Sequence, residues 1–282
     1  MNFLLLTFIF AFGAIIGSFL NVVILRYNTG MSPAKGGSVC FHCNKSLGWY
    51  ELVPILSYFF LKGKCLKCKT SISPQYPIVE FIAGILFVGI VVRQYLLWPL
   101  YSGYQDGLLY SILFCLYYFV IFSVLIVISA YDIRHKIIPN KLVYFFGFLA
   151  IAKLLIFFYS FGFIFNLENT LNLLSPIILF IPFALLWYVS SGKWIGFGDA
   201  KLVVGIGAML GFVLGISSVI LAFWVGALWS ILFILKNKIL KRKSLTLHSE
   251  VPFAPFLIIS TAIVFFTHLD VLSLGNLLMW IK

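Results

Sequence analysis

Residues 108–130 read LLYSILFCLYYFVIFSVLIVISA, a stretch of 23 residues without one charged side chain. An α-helix needs about 20 mostly apolar residues to cross the hydrocarbon core of a bilayer. This stretch alone therefore predicts a transmembrane helix. It ends just before Asp132, an acidic residue in an otherwise apolar part of the chain.

The whole chain has the same character as this stretch. Of its 282 residues, 62% are hydrophobic and 10% are charged, whereas a soluble domain has about 25% charged residues. A soluble protein of this size could not bury so many apolar residues, because its surface has to present polar groups to water. The composition predicts a polytopic membrane protein. It excludes a soluble enzyme, a disordered chain and a disulfide-rich scaffold.

Eight apolar stretches follow one another, so we expect an all-α polytopic fold with about eight transmembrane helices. One long polar segment, residues 26–77, separates the first two stretches. The predicted spans are roughly 3–25, 78–98, 108–130, 141–160, 172–190, 199–215, 217–235 and 252–280.

The basic residues predict the orientation of these spans. The net charge is +12, and an amino terminus outside the cell places 17 of the 20 Lys and Arg residues in the loops predicted to be inside. Those loops are 26–77, 131–141, 191–201 and 236–250. Short cytoplasmic loops are rich in Lys and Arg, so we expect this orientation, with the basic loops contacting anionic lipid. The sequence shows no basic face interleaved with aromatic residues, which is the feature that would predict nucleic-acid binding.

The polar segment contains two Cys-x-x-Cys motifs, Cys40–Cys43 and Cys65–Cys68, separated by 21 residues. Two such knuckles at this spacing are typical of a tetrahedral zinc site with four thiolates, which leaves no open position for water. A reducing cytoplasm argues against two disulfides. We therefore predict a structural zinc ion in a zinc-ribbon-like domain; four thiols without metal are the alternative.

Two carboxylates lie where predicted membrane helices meet the cytoplasm. Asp132 follows the third span, and Asp199 follows two glycines, Gly196 and Gly198, at the start of the sixth. Ionisable groups at such positions are costly and mark functional sites. Aspartic proteases use a pair of carboxylates for catalysis. The glycines would allow an extended substrate to approach the backbone closely.

Each carboxylate also has a structural alternative. Asp199 is a suitable N-cap for its helix, with Lys201 nearby, and Asp132 could pair with Arg134 or His135. Because a helix amino terminus stabilises negative charge, we expect Asp199 to be the ionised base and Asp132 the partner that carries the proton.

These features together resemble the bacterial type IV prepilin peptidases, polytopic aspartic proteases with a Gly-x-Gly-Asp motif. The resemblance covers most of the chain, since the family's motifs occur in order. Two departures are visible: Arg134 stands where many members have a second acid, and Ala254 where the late proline motif often has Gly. The motifs are Gly17–Asn21, the two knuckles, Trp49, Pro54 and Ser57 followed by Ser73–Glu80, Asp132 with Ile138-Pro139-Asn140, Gly196–Lys201, and Pro252–Phe256.

The resemblance implies a specific reaction. The substrate would be a prepilin or pseudopilin, whose short basic leader is cleaved after Gly at the cytoplasmic face of the bacterial inner membrane. Asp132 and Asp199 would be catalytic. The residues expected to contact substrate are Gly196, Gly198, Lys201 and Glu80.

Many members of that family also methylate the new amino terminus, which implies S-adenosylmethionine as a cofactor beside structural zinc. No glycine-rich nucleotide loop after a strand is readable here, so that half rests on the resemblance. Glu80 is an acid near the polar segment and is a candidate to bind the substrate amine or the methyl donor; an interfacial cap paired with a lysine is its alternative. The predicted regions are a first transmembrane helix at 1–25, a cytoplasmic zinc-binding domain at 26–77, and a seven-helix protease domain at 78–282.

Two other functions would use some of the same residues. A proton-coupled transporter also has membrane-embedded acids and glycine-broken helices, but carriers place them near the midplane and often show inverted repeats. A zinc-ribbon membrane adaptor without catalysis would need the four cysteines and tolerate loss of either aspartate. These alternatives differ from the protease in what Asp132→Asn and Asp199→Asn would do.

Overall fold

The computed structural model describes residues 2–34, 36–101, 103, 106–160, 162, 164–239 and 252–276. Within them the chain forms nine α-helices and one 3₁₀ helix, Trp49–Glu51, as the predicted all-α class requires. The α-helices are α1 (Phe3–Arg26), α2 (Leu56–Phe60), α3 (Gln75–Tyr101), α4 (Gly107–His135), α5 (Asn140–Ser160), α6 (Leu167–Val189), α7 (Phe197–Leu210), α8 (Phe212–Ile239) and α9 (Ala254–Thr267).

Six of these helices, α1, α3, α4, α5, α6 and α8, are long and apolar enough to cross a membrane. Each of the eight predicted spans contains a helix, but α7 and α9 have only 14 residues each. At 1.5 Å per residue they are about 21 Å long, which is less than the hydrocarbon core of about 30 Å. Hydropathy alone did not separate them from full spans. Lys35, residues 240–250 of the predicted basic loop and residues 277–280 of the predicted eighth span lie outside the described residues.

The chain packs as two compact units, Met1–Val127 and Ile128–Lys282, divided inside α4. These two units are defined by packing alone. The boundaries of the functional regions predicted from the sequence, after residues 25 and 77, are a separate division and stay predictions.

In the first unit, α1 and α3 cross at very short range. A Cβ atom at Gly13 would lie 2.8 Å from the carbonyl oxygen of Ala83, and one at Gly17 would lie 2.7 Å from Cα of Glu80. Small residues at four-residue spacing allow this approach between membrane helices. The buried side chain of Asn21 then donates hydrogen bonds to the carbonyl oxygens of Gly17 and Tyr76, joining the two helices.

In the second unit, α7 is the buried central helix. A Cβ atom at Gly205 would overlap the Phe146 ring of α5, and the hydroxyl of Ser175 in α6 donates to the Gly207 carbonyl oxygen at 2.9 Å. The helix stops at Gly211, whose φ of +81° suits glycine. Close packing on two neighbours therefore fixes the rotation of α7 and, with it, the direction of the side chains in its first turn.

Candidate active site and metal centre

Asp132 lies in the last turn of α4 and is 4% exposed. Its backbone carbonyl accepts from the N–H of Lys136 at 2.7 Å, where the helix ends. The backbone N–H of Ala254 lies close enough to its carboxylate to interact with it electrostatically. Ala254 is the first residue of α9, so this N–H has no partner within its own helix. The start of α9 is thus directed at the first carboxylate.

Asp199 lies in the first turn of α7 and is 6% exposed. The backbone N–H of Gly196 lies close enough to interact electrostatically with its carboxylate, while its buried Oδ1 has no hydrogen-bond partner in the described part of the chain. The carboxylates of Asp132 and Asp199 are close enough for their charges to interact. We call these two residues the aspartate pair; the structure brings them together across 67 positions of sequence.

Such a pair can do acid–base chemistry. Two neighbouring carboxylates do not ionise independently, so one is available as a base while the other holds a proton. The sequence predicted that Asp199 alone faces a helix amino terminus, but α9 also begins at Asp132. The physical reason for assigning the ionised state to Asp199 is therefore removed.

The structural alternatives for these aspartates do not describe what the structure shows. The N-cap of α7 is Gly196, not Asp199. The Lys201 ammonium donates to Oδ1 of Asn140 at 3.0 Å and lies over the rings of Tyr144 and Phe197. Within the described residues, the one salt bridge joins Lys45 to Glu51.

The glycines before Asp199 have packing roles that the sequence did not predict. A Cβ atom at Gly198 would lie 2.9 Å from Cβ of Ile138, in the turn between α4 and α5. A Cβ atom at Gly196 would lie 3.3 Å from Oδ2 of Asp199 itself. Gly198 and the Lys201–Asn140 bond thus dock the two aspartate-bearing segments on each other. The predicted substrate contacts of these residues stay predictions.

Ala254 is the residue of the site that sequence reasoning missed. The motif Pro252–Phe256 was recognised only as a resemblance, without a role. In the structure the Phe253 ring packs against the rings of Phe183 in α6 and Phe223 in α8, which anchors the start of α9. The signal was a proline at the start of an apolar helix, which predicts free N–H groups.

The four cysteines form one cluster, as predicted. Their Sγ atoms all lie within 4.8 Å of one another, and those of Cys40 and Cys68 are 3.7 Å apart. Four sulfurs at about 2.3 Å from a tetrahedral zinc ion are roughly 3.8 Å apart. The donor set and spacing therefore fit zinc.

The two knuckles have the same backbone geometry. In each, the first cysteine exchanges backbone hydrogen bonds with the residues four and five positions later, Asn44 and Lys45 in the first knuckle. Asn44 and Lys69, each directly after a second cysteine, both have positive φ. One isolated antiparallel bridge flanks each knuckle. The side chain and backbone of Thr70 lower the pKa of Cys68 to about 6, favouring the thiolate that binds metal.

Glu80 is buried where α1, α3 and the polar segment meet. Its Oε2 accepts from the backbone N–H of Ile55 at 2.7 Å, and the Ser18 side chain lies close enough to favour its ionised form. Ile55 has a φ of +62°, unfavourable for a β-branched residue. Glu80 thus holds a strained backbone turn. The predicted lysine partner is replaced by a backbone N–H.

Comparisons with known proteins agree with this arrangement. The family profile described as Bacterial Peptidase A24 N-terminal domain matches residues 11–94. The profile of the Type IV leader peptidase family matches residues 119–231, which include both members of the aspartate pair. No solved structure showed a significant match to the chain.

Three similar proteins carry the name prepilin leader peptidase/N-methyltransferase. That of Bacillus subtilis (strain 168) is 32% identical over 257 residues, covering 89% of this chain and 90% of the relative. That of Klebsiella pneumoniae is 30% identical over 224 residues, with 73% and 85% coverage. That of Stutzerimonas stutzeri is 28% identical over 273 residues, with 88% and 86% coverage.

Proposed function

Because the chain belongs to the type IV leader peptidase family, we propose that Asp132 and Asp199 are the catalytic residues of a membrane aspartic endopeptidase. The observation that carries the proposal is the aspartate pair itself: two buried carboxylates from separate helices whose charges interact. Its substrates are type IV prepilins or pseudopilins, whose leader it removes after Gly.

The aspartate pair supports peptide hydrolysis in the usual way for two carboxylates. The ionised member takes a proton from the attacking water, while the protonated member donates a hydrogen bond to the oxygen of the scissile carbonyl. As the tetrahedral intermediate collapses, a proton passes to the leaving amine. The backbone N–H groups of Ala254 and Gly196 each interact electrostatically with one carboxylate. Gly196, Gly198 and Lys201 are proposed to lie along the bound substrate.

We propose that this chemistry takes place at the cytoplasmic face of the bacterial inner membrane, with the amino terminus outside, because the distribution of Lys and Arg residues favours that orientation. Supporting this placement, Asp132 and Asp199 flank loops that contain Lys136, Lys141 and Lys193. Membrane lipid surrounds the six spanning helices, and no nucleic-acid partner is proposed.

A second reaction, methylation of the new amino terminus with S-adenosylmethionine, is proposed for the same protein. The names of the relatives include N-methyltransferase. Zinc bound by Cys40, Cys43, Cys65 and Cys68 would hold the polar segment folded, because few other contacts order so small a domain. Glu80 is the proposed carboxylate contact for the amine or the methyl donor.

The transporter alternative has no support from the family or its relatives. The adaptor alternative separates from the protease by experiment. Membranes containing the protein are incubated with a pilin precursor and labelled S-adenosylmethionine, and mass spectrometry measures the amino terminus of the product. Asp132→Asn and Asp199→Asn are compared with Asp106→Asn, an exposed aspartate of the first unit.

Cleavage after Gly is expected in the parent and in Asp106→Asn but not in the other two variants. An added methyl mass would show the second reaction. Full cleavage by either Asp132→Asn or Asp199→Asn would refute the proposed catalytic pair, and an intact precursor with the parent protein would refute the peptidase for that substrate.

A further inference from the structure

Residues 59–69, FFLKGKCLKCK, form a surface hairpin that the peptidase and zinc roles leave unexplained. Phe59 is 67% exposed and Phe60 is 82% exposed, although both are large and apolar. Beyond them the hairpin exposes four cations, and no exposed acid accompanies them. These cations are Lys62, Lys64, Lys67 and Lys69.

The hairpin is one continuous surface because its turn is tightly made. Lys62 and Gly63 both have positive φ, and the N–H of Gly63 donates to the carbonyl oxygen of Tyr58 at 2.8 Å. A Cβ atom at Gly63 would lie 3.0 Å from the Tyr58 ring, so α2 folds directly against the second knuckle. The exposed phenylalanines of α2 and the lysines of the knuckle are therefore neighbours.

The positive charge of this surface favours an anionic partner. Glu51 is the one acid in residues 27–74, and it is buried and paired with Lys45 at 2.9 Å. A zinc ion with four thiolates carries a net charge of −2. The four lysines of the hairpin exceed that charge, so compensation of the metal site does not account for all of them.

Chain connectivity places such a partner next to the hairpin. The polar segment leaves one membrane helix at Arg26 and enters the next at Gln75. A short segment tied at both ends to membrane helices stays near lipid headgroups. Exposed aromatic rings beside lysines are typical of surfaces that lie in the membrane–water interface, where the rings enter the headgroup layer and the lysines meet anionic lipid.

We propose that the hairpin of residues 59–69 is a membrane-docking surface, which inserts Phe59 and Phe60 into an anionic leaflet and binds its headgroups through the four lysines. A basic prepilin leader would be repelled by this charge. Docking would restrain the zinc-binding segment against the bilayer in addition to its two covalent connections. This inference does not depend on the aspartate pair.

The test uses the full-length protein in nanodiscs of phosphatidylcholine, with or without one-third phosphatidylglycerol. A photo-crosslinking benzoylphenylalanine replaces Phe60, and mass spectrometry identifies the adducts. The charge variant is Lys62→Gln with Lys67→Gln. Its matched control, Lys141→Gln with Lys193→Gln, removes the same charge from exposed lysines elsewhere. Bound zinc is measured in each variant to show that the knuckles remain folded.

Phosphatidylglycerol adducts are expected at position 60, with a yield that falls roughly threefold or more in the charge variant and not in its control. The proposal is overturned by the absence of lipid adducts at position 60. Equal yields of the two lipids, or adducts with protein alone, overturn it as well; the last result would assign the hairpin to a protein partner.

Discussion

Replacing Gly198 by alanine tests whether the contact between α7 and the α4–α5 turn positions Asp199. The added Cβ would lie 2.9 Å from Cβ of Ile138 and 3.2 Å from its Cδ1. Non-bonded carbon atoms prefer separations of about 3.5–4.0 Å. The closest atom is a Cβ, which no side-chain rotation moves, so the start of α7 or the turn has to shift by roughly 0.6 Å.

The size of the effect follows from that shift. A misplacement of about 1 Å costs about 100-fold in rate, so roughly half that displacement should cost about tenfold in kcat. That is about 1.4 kcal/mol of activation free energy. Overpacking costs about 1–3 kcal/mol of stability, and removing a helical glycine returns about 0.5–1 kcal/mol, so the variant should remain folded.

The assay measures kcat and KM for prepilin cleavage in membranes, together with thermal unfolding. Gly147→Ala is the control, because its Cβ would meet nothing within 4 Å. In Gly198→Ala we expect a lower kcat with little change in KM. Adding Ile138→Ala removes the contacts to Cγ1 and Cδ1 but leaves the Cβ contact, so it should restore part of the lost activity.

Unchanged kcat in Gly198→Ala would refute the positioning argument. A raised KM with unchanged kcat would show instead that Gly198 contacts the substrate, as the sequence predicted. Equal losses in Gly147→Ala would mean that helix glycines matter for another reason.

Two further predictions concern the metal centre and α9. Cys65→Ser should lower bound zinc well below one per chain and reduce the unfolding temperature, whereas Cys115→Ser should change neither; retention of zinc by Cys65→Ser would contradict the four-thiolate site. Replacing the amide of Ala254 by an ester removes the N–H that lies beside the Asp132 carboxylate and should lower kcat about 10-fold, with KM little changed. The same replacement at Leu257, whose N–H bonds only the carbonyl oxygen of Phe253 at 3.2 Å, should have a small effect, and equal losses at both positions would contradict the role of Ala254.

Much of the fold was predictable because its signals are local. Apolar stretches long enough to span a bilayer identify the membrane helices, and the two Cys-x-x-Cys motifs bring four sulfurs together through two short turns. The lengths of α7 and α9 were not predictable in this way. Gly211 ends α7 inside a stretch that is apolar throughout, so hydropathy does not mark the break. The hydrogen bond that Oδ1 of Asn172 in α6 accepts from the backbone N–H of Phe212 has no signature in the sequence either.

The aspartates of the candidate site were predictable, but their surroundings were not. Asp132 and Asp199 stand out because acids are rare in such an apolar chain. The roles of Ala254 and Gly198 depend on helix starts and turns that are distant in sequence. The ionisation preference inferred from two helix ends stays a prediction, and its argument did not include the start of α9 beside Asp132.

Hydropathy, charge and motif spacing are thus enough to predict a helical membrane protein, its candidate aspartates and its cluster of four cysteines, and the resemblance of its motifs predicted the peptidase family. Each of these depends on residue types and on neighbours within a few positions. The proximity that lets the charges of the two carboxylates interact, the N–H groups beside them and the docking of Gly198 on Ile138 were decided by the tertiary structure. These features depend on how the helices pack. The distance between atoms on separate helices is set by the side chains that lie between them, so it cannot be predicted from any one segment of the sequence.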